Sequence, residues 1–117
     1  YVNAGHNPPL LLRQGEDAHY LPRGQNVALA VMEEIPFRAS RVQLAPQDAL
    51  VLYTDGVVET HNPGGREYSE GRLARLLRKT ALGAPDDVLR VILDDVNRFA
   101  AGVPPADDLT AVVVKLA

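Results

Sequence analysis

Asp48-Ala49-Leu50-Val51-Leu52-Tyr53-Thr54 runs without a break into Asp55-Gly56, and this junction decides how the rest of the chain is read. Leu50, Val51, Leu52 and Tyr53 are apolar at successive positions. Side chains of a strand alternate between faces, so the run predicts a central strand buried from both sides. A carboxylate directly after such a strand emerges at the rim of the sheet on a rigid support. Gly56 lets the backbone turn sharply there, or lets a ligand come close. Asp-Gly is also an ordinary turn, and the dipeptide alone does not separate the two readings.

On the N-terminal side, residues 9–13 (PLLLR) and 28–32 (ALAVM) are compact apolar runs between turn signals and predict strands. Residues 38–44 alternate more loosely, with Val42 and Leu44 on one face. Tyr1-Val2 reads as the middle of a strand, and the chain begins with Tyr rather than Met, so it is expected to be a piece of something longer. On the C-terminal side the period changes. Leu73, Leu76 and Leu77 stand at helical spacing within 70–82, with Arg72, Arg75, Arg78 and Lys79 expected to face water. A second helix over 85–101 has Pro85 at its first position, Asp86 and Asp87 near the positive end of its dipole, and an apolar stripe of Val88, Leu89, Ile92, Leu93, Val96, Phe99 and Ala100. Gly102 stops it, Pro104-Pro105 enforces an extended loop, and 109–116 (LTAVVVKL) closes as a buried strand. Strands, two helices and a last strand indicate a sheet with helices on one face, and the class is α+β.

The 117 residues are 46% apolar and 23% charged, the balance of a folded domain with one core and no second independent one. Twelve Lys and Arg against 15 Asp and Glu leave a net charge of −3, which argues against a nucleic-acid binder working through a broad basic surface. The absence of cysteine excludes disulfides, thiolate zinc sites, Fe–S clusters and Cys nucleophiles. The longest apolar run, 27–32, is far short of the roughly 18–20 residues of a spanning helix. No basic stretch followed by an apolar run marks a signal peptide at the N-terminus.

A second acidic position, Asp107-Asp108, lies in a Pro-rich loop just before the last strand. Adjacent carboxylates repel, and either a solvated loop or a cation between them accounts for the pair. If the two strands are neighbours, their loops meet. All-oxygen ligation without Cys or a paired His then points to a hard cation, Mg²⁺ or Mn²⁺. Glu59 can reach the same rim if 57–59 begins a helical turn. His6, in the turn-rich stretch 4–9, is placed to touch a substrate or metal, or simply to hydrogen-bond within its loop; His19 and His61 read as solvent-facing. No Ser-His-Asp order and no phosphate-cradling glycine loop occurs. A haloacid-dehalogenase-like site would need an Asp at position 53, where Tyr53 stands.

Three stretches in this order, Ala4-Gly5-His6-Asn7-Pro8-Pro9-Leu10, then Leu50-Val51-Leu52-Tyr53-Thr54-Asp55-Gly56-Val57-Val58-Glu59, then Asp107-Asp108-Leu109-Thr110, resemble the closing half of the SpoIIE-type phosphatase domain. This is the bacterial branch of the metal-dependent type 2C protein phosphatases. The resemblance covers essentially the whole chain, so residues 1–117 are expected to be the C-terminal segment of one such domain. It implies part of an α-β-β-α sandwich, with two packed antiparallel sheets flanked by helices and the N-terminal portion absent. It implies a binuclear Mn²⁺ or Mg²⁺ centre whose bridging water attacks phosphorus in line. By motif position Asp55 and Asp107 resemble metal ligands, and Glu59 falls where some relatives place a carboxylate for a further, weaker metal. Gly56 and Asp108 would support the ligands, and Gly5, His6 and Asn7 belong to a signature loop with a structural role.

The resemblance further implies a cytoplasmic enzyme acting on phosphoserine or phosphothreonine of a STAS-type anti-anti-sigma protein, within partner-switching control of sigma factors. An upstream sensor or receiver domain would regulate it, and neither nucleic acid nor membrane is implied for this segment. The family's opening half carries further metal-bridging aspartates that nothing here matches. Tyr68-Ser69-Glu70-Gly71 also departs from the family's Tyr/Phe-Gly-x-Glu, a local change at a helix start. With two carboxylates the segment alone is expected to bind metal poorly and not to turn over. The competing reading is a degenerate domain that binds a phosphoprotein without hydrolysis. Half a sandwich leaves a sheet face and strand edges uncovered, so the isolated chain is expected to self-associate, as a homodimer for example, or to be partly unfolded.

Overall fold

The computed structural model describes residues 1–24, 26–34, 36–78 and 83–117. Its elements run β1 (Leu10–Leu12), β2 (His19–Tyr20), β3 (Ala49–Tyr53), α1 (Asp55–Val58), α2 (Glu70–Arg78), α3 (Pro85–Ala100) and β4 (Ala111–Lys115). The strands form one antiparallel sheet in the order β2-β1-β3-β4. Register follows the apolar pattern: Leu10 stands opposite Tyr20 on one side and Val51 on the other, and Val51 stands opposite Val113. β3 and β4 are neighbours, as the pairing of their loops requires.

Alternation sends Leu10, Leu12, Ala49, Val51 and Tyr53 to one face, where they meet Leu73 and Leu77 of α2 and Val88, Ile92 and Val96 of α3. Each of these large side chains, removed from water, contributes about 1.5–3 kcal/mol. α3 has Pro85 in its first turn and ends at Ala101 in a left-handed conformation (φ 47°), whose N–H reaches Asn97 O at 3.1 Å. Besides its ladder to β1, β2 is fastened to α2 by Tyr20, which donates its hydroxyl to Glu70 O at 2.8 Å, and the loop after it by Arg23, which pairs with the Glu70 carboxylate. No described helix is long and apolar enough to cross a membrane.

The structure departs from the sequence reading in four places. β3 is fully covered on one face only: Leu50 and Leu52 alternate to the side away from the helices, where residues 1–4 and 40–43 cover them in part. With Val112 and Val114 of β4 opposite them they form an apolar outer face, where Val114 is 54% exposed, so the closing strand is half-exposed rather than buried because no layer covers its outer side. Residues 28–32 are turn and bend rather than strand. Ala30 (φ 64°) and Glu34 (φ 57°) are left-handed, and Leu29 is 71% exposed, since no neighbouring strand pairs with the run and no layer buries it. Residues 38–44 form no ladder; they are tied by Asn26, which bonds both N–H and C=O of Arg38, and by Ser40, which exchanges both backbone bonds with Tyr1 at 2.8 Å. Tyr1-Val2 accordingly shows one antiparallel pair and no strand.

The fourth difference concerns Arg72. Instead of a solvated helix face it grips Asp95 of α3 through Nε (2.9 Å) and Nη2 (3.1 Å), and its guanidinium lies 4.7 Å from the Phe99 ring centroid. Tyr68 donates its hydroxyl to the same carboxylate at 2.7 Å. The Arg72 guanidinium holds the buried Asp95 carboxyl below the usual carboxylate range. Arg78 pairs with Asp17 at the surface, Arg75 is exposed, and Lys79 with the predicted end of this helix lies outside the described residues.

Candidate metal centre

β3 delivers Asp55 to the rim of the sheet, and α1 starts on it. Thr54 fastens this corner to the 107–110 loop. Its N–H bonds Thr110 O at 3.0 Å, its hydroxyl donates to Asp108 O at 3.1 Å, and it accepts from Thr110 N–H at 3.1 Å. Gly56 is helical, and its lack of a side chain is what allows the two loops to touch. A Cβ there would stand 2.2 Å from Asp108 O and 3.2 Å from Asp107 O. Thr60 steadies α1 from behind by donating its hydroxyl to Gly56 O at 2.8 Å. The short helical turn considered for 57–59 exists, shifted to begin at Asp55.

The 3–7 loop closes the other side. Buried Asn3 accepts His6 N–H at 2.8 Å and donates to His6 O at 2.9 Å, clamping the turn through one side chain. Gly5 has φ +80° and lies so close to Ala28 N that a Cβ would stand 2.8 Å away. Asn7, kept out of helical backbone by the proline after it, donates Nδ2 to Asp55 Oδ1 at 2.6 Å.

Between these walls is a recess of about 280 Å³ lined by Gly5, His6, Asn7, Thr54, Asp55 and Asp107. The structure therefore brings Asp55 and Asp107 together with the whole Gly5-His6-Asn7 loop. Glu59 is exposed at the end of α1 and does not line the recess, nor does Asp108, whose main chain, rather than its carboxylate, braces the corner. Asp107 Oδ1 accepts the Asp108 N–H at 2.7 Å. His6 Nδ1 lies 3.1 Å from Asn7 O. The roles of Thr54 and Asn3 emerge only in the fold. Thr54 directly precedes Asp55, while Asn3 carries no pattern that marks it.

Both carboxylates are exposed, and their oxygen donors fit a hard divalent cation that keeps several waters. Among the described residues no group of three or more His, Cys, Asp or Glu is close enough to hold a metal. Among the described residues the two carboxylates are thus a partial donor set of the kind a hydrated hard cation uses, and they do not complete a binuclear centre.

The chain is similar to the protein IcfG of Synechocystis (27% identity over 114 residues, 97% of this chain and 18% of that protein). It is also similar to the phosphoserine phosphatase RsbU of Bacillus subtilis (22% identity over 115 residues, 98% of this chain and 34% of RsbU). It spans about a third or less of these relatives. Its fold matches the PP2C phosphatase domain, with a fragment of the regulatory domain, of the cell fate determinant SpoIIE from Bacillus subtilis. The TM-score is 0.81 at 23% identity, over 98% of this chain and 33% of that one. The single antiparallel sheet, with helices packed on one face, is part of the expected sandwich. The stage II sporulation protein E model matches residues 1–117, and the chain belongs to the SpoIIE family.

Proposed function

We propose that this chain forms part of a metal-dependent protein phosphatase that hydrolyses phosphoserine or phosphothreonine on a protein substrate, with Asp55 and Asp107 as metal ligands. The observation that carries this reading is the convergence of those two carboxylates on one solvent-open recess, through a corner that only glycine at position 56 permits. Membership of the family supports it, as does similarity to a phosphoserine phosphatase. A bound Mn²⁺ or Mg²⁺ would supply a Lewis acid for a phosphoryl oxygen and a water of lowered pKa. Around it, Asn7 orients the Asp55 carboxylate, Thr54 and Gly56 fix the approach of the Asp107 loop, and His6 lines the recess. Further ligands for a binuclear centre must come from outside these residues. Glu59 is the proposed carboxylate for an additional, weaker metal, and Asp108 the brace of the loop.

The proposed substrate is a STAS-type anti-anti-sigma phosphoprotein in the cytoplasm, and the proposed regulator a sensor or receiver domain in the same protein. The second reading, a phosphoprotein-binding domain without catalysis, draws on there being two carboxylates in the recess among the described residues. Mn²⁺-dependent loss of phosphate from a serine-phosphorylated STAS protein, followed on phosphate-affinity gels with the full-length protein, separates the two. Turnover supports the enzyme; tight binding of the phosphoprotein with no loss of phosphate supports the binding domain.

A further inference from the structure

The 3–7 loop does more than close one wall of the recess. Its backbone is set by the buried Asn3 clamp and by Pro8, and the outcome is a half-buried amide aimed at Asp55, Nδ2 to Oδ1 at 2.6 Å. Among the described residues no other donor reaches the Asp55 carboxylate. Oδ1 is therefore engaged and Oδ2 is not. A cation that takes both oxygens must share Oδ1 with the amide, whereas one that takes Oδ2 alone leaves that hydrogen bond undisturbed. Mg²⁺ keeps a strict octahedron and is satisfied by one oxygen from a carboxylate, and Ca²⁺ accepts six to eight ligands and bidentate carboxylates.

We propose that Asn7 is a positioning residue that commits Asp55 to one-oxygen ligation and so sets the preference of the site for a small octahedral cation over Ca²⁺. This rests on the reading of Asp55 as a metal ligand. Partners that hold a ligand in place are worth about 10–100-fold in metal affinity. Nothing in the sequence joins the two residues, which are 48 positions apart.

The test is isothermal titration of the full-length protein with Mg²⁺, Mn²⁺ and Ca²⁺ in turn, beside its metal-free thermal unfolding, for wild type, Asn7→Ala, Asn7→Gln and Asp55→Asn. Asn7→Ala is expected to weaken Mg²⁺ and Mn²⁺ by about 10–100-fold. Ca²⁺ should change by less than about threefold, since it can use both freed oxygens. The metal-free melting temperature should stay at the wild-type value. An unchanged Mg²⁺-to-Ca²⁺ ratio in Asn7→Ala overturns the proposal. Should Asn7→Ala melt early, Asn7→Gln decides: it keeps an amide on a longer arm, and recovery of the ratio supports the proposal while failure to recover overturns it. Asp55→Asn separates the two levels. Loss of Mg²⁺ binding in Asp55→Asn beside a neutral Asn7→Ala removes only the role of Asn7. Unchanged binding in Asp55→Asn removes the ligand reading itself, and the proposal with it.

Discussion

Gly56→Ala tests the corner on which the site is built. The new Cβ would stand 2.2 Å from Asp108 O, more than 1 Å inside ordinary contact at 3.4 Å. The opposing atom is backbone and cannot rotate away. It is held by the Thr54 hydroxyl at 3.1 Å, and the strand beyond it by the Thr54–Thr110 pair. Overpacking costs about 1–3 kcal/mol, and a rigid backbone partner puts this case at the upper end. Ala is the better helix former by up to about 1 kcal/mol, so the net loss comes to about 2 kcal/mol. In a domain of about 200 residues that lowers the melting temperature by about 4–8 °C. The relaxation moves the 107–108 loop away from Asp55, and Mn²⁺ affinity should fall with it. Gly71→Ala is the matched control, because a Cβ there meets nothing nearer than Ser69 Oγ at 3.9 Å. That variant should be neutral or up to about 1 kcal/mol more stable. Thermal unfolding and Mn²⁺ titration of both variants in the full-length protein decide the matter. A Gly56→Ala protein with wild-type stability and affinity would refute the close-approach argument.

Further outcomes follow from the rest of the structure. Asp95→Asn, which breaks a mostly buried pair with a partly exposed Arg72, should cost about 2–3 kcal/mol in denaturant unfolding, below the range for fully buried pairs. The folded pKa of Asp95 lies below its unfolded value of 3.8, so its contribution is present above that pH and is lost as pH falls through the folded value. Asp95→Asn should therefore flatten the acid limb of the stability profile below about pH 4, and an unchanged limb would contradict the assignment. The apolar outer face of β3 and β4 predicts that the 117-residue chain alone self-associates, and that Val112→Lys with Val114→Lys suppresses it. A clean wild-type monomer in sedimentation velocity would contradict this. Asn3→Ala should lower both stability and Mn²⁺ affinity, because one buried side chain holds both sides of the His6 turn, and removing it strands two backbone groups.

What the sequence revealed tracks how local each signal is. α2 and α3 are legible because their apolar residues repeat at the helical period, β3 and β4 because short unbroken apolar runs stand between turn signals, and Asp55 and Asp107 because they lie beside such runs. β2 has only two residues and one exposed side chain, and its placement depends on Tyr20 and Arg23 meeting Glu70, far away in the chain. The run at 28–32 has the composition of a strand, but apolar composition without a partner strand does not make one. Arg72 reads as solvated because it stands among other basic residues of the helix, and nothing in α2 announces Asp95 of α3. The same holds at the site: the motif loop was visible, but the bond from Asn7 to Asp55 exists only once the fold brings the two together.

The most direct test of the central claim is Mn²⁺-dependent hydrolysis of p-nitrophenyl phosphate by the full-length protein, compared with Asp55→Asn and Asp107→Asn. The account predicts activity that requires the metal and is abolished by either substitution, with the fold retained by circular dichroism. Metal-dependent activity that survives both substitutions would place the centre elsewhere and contradict it.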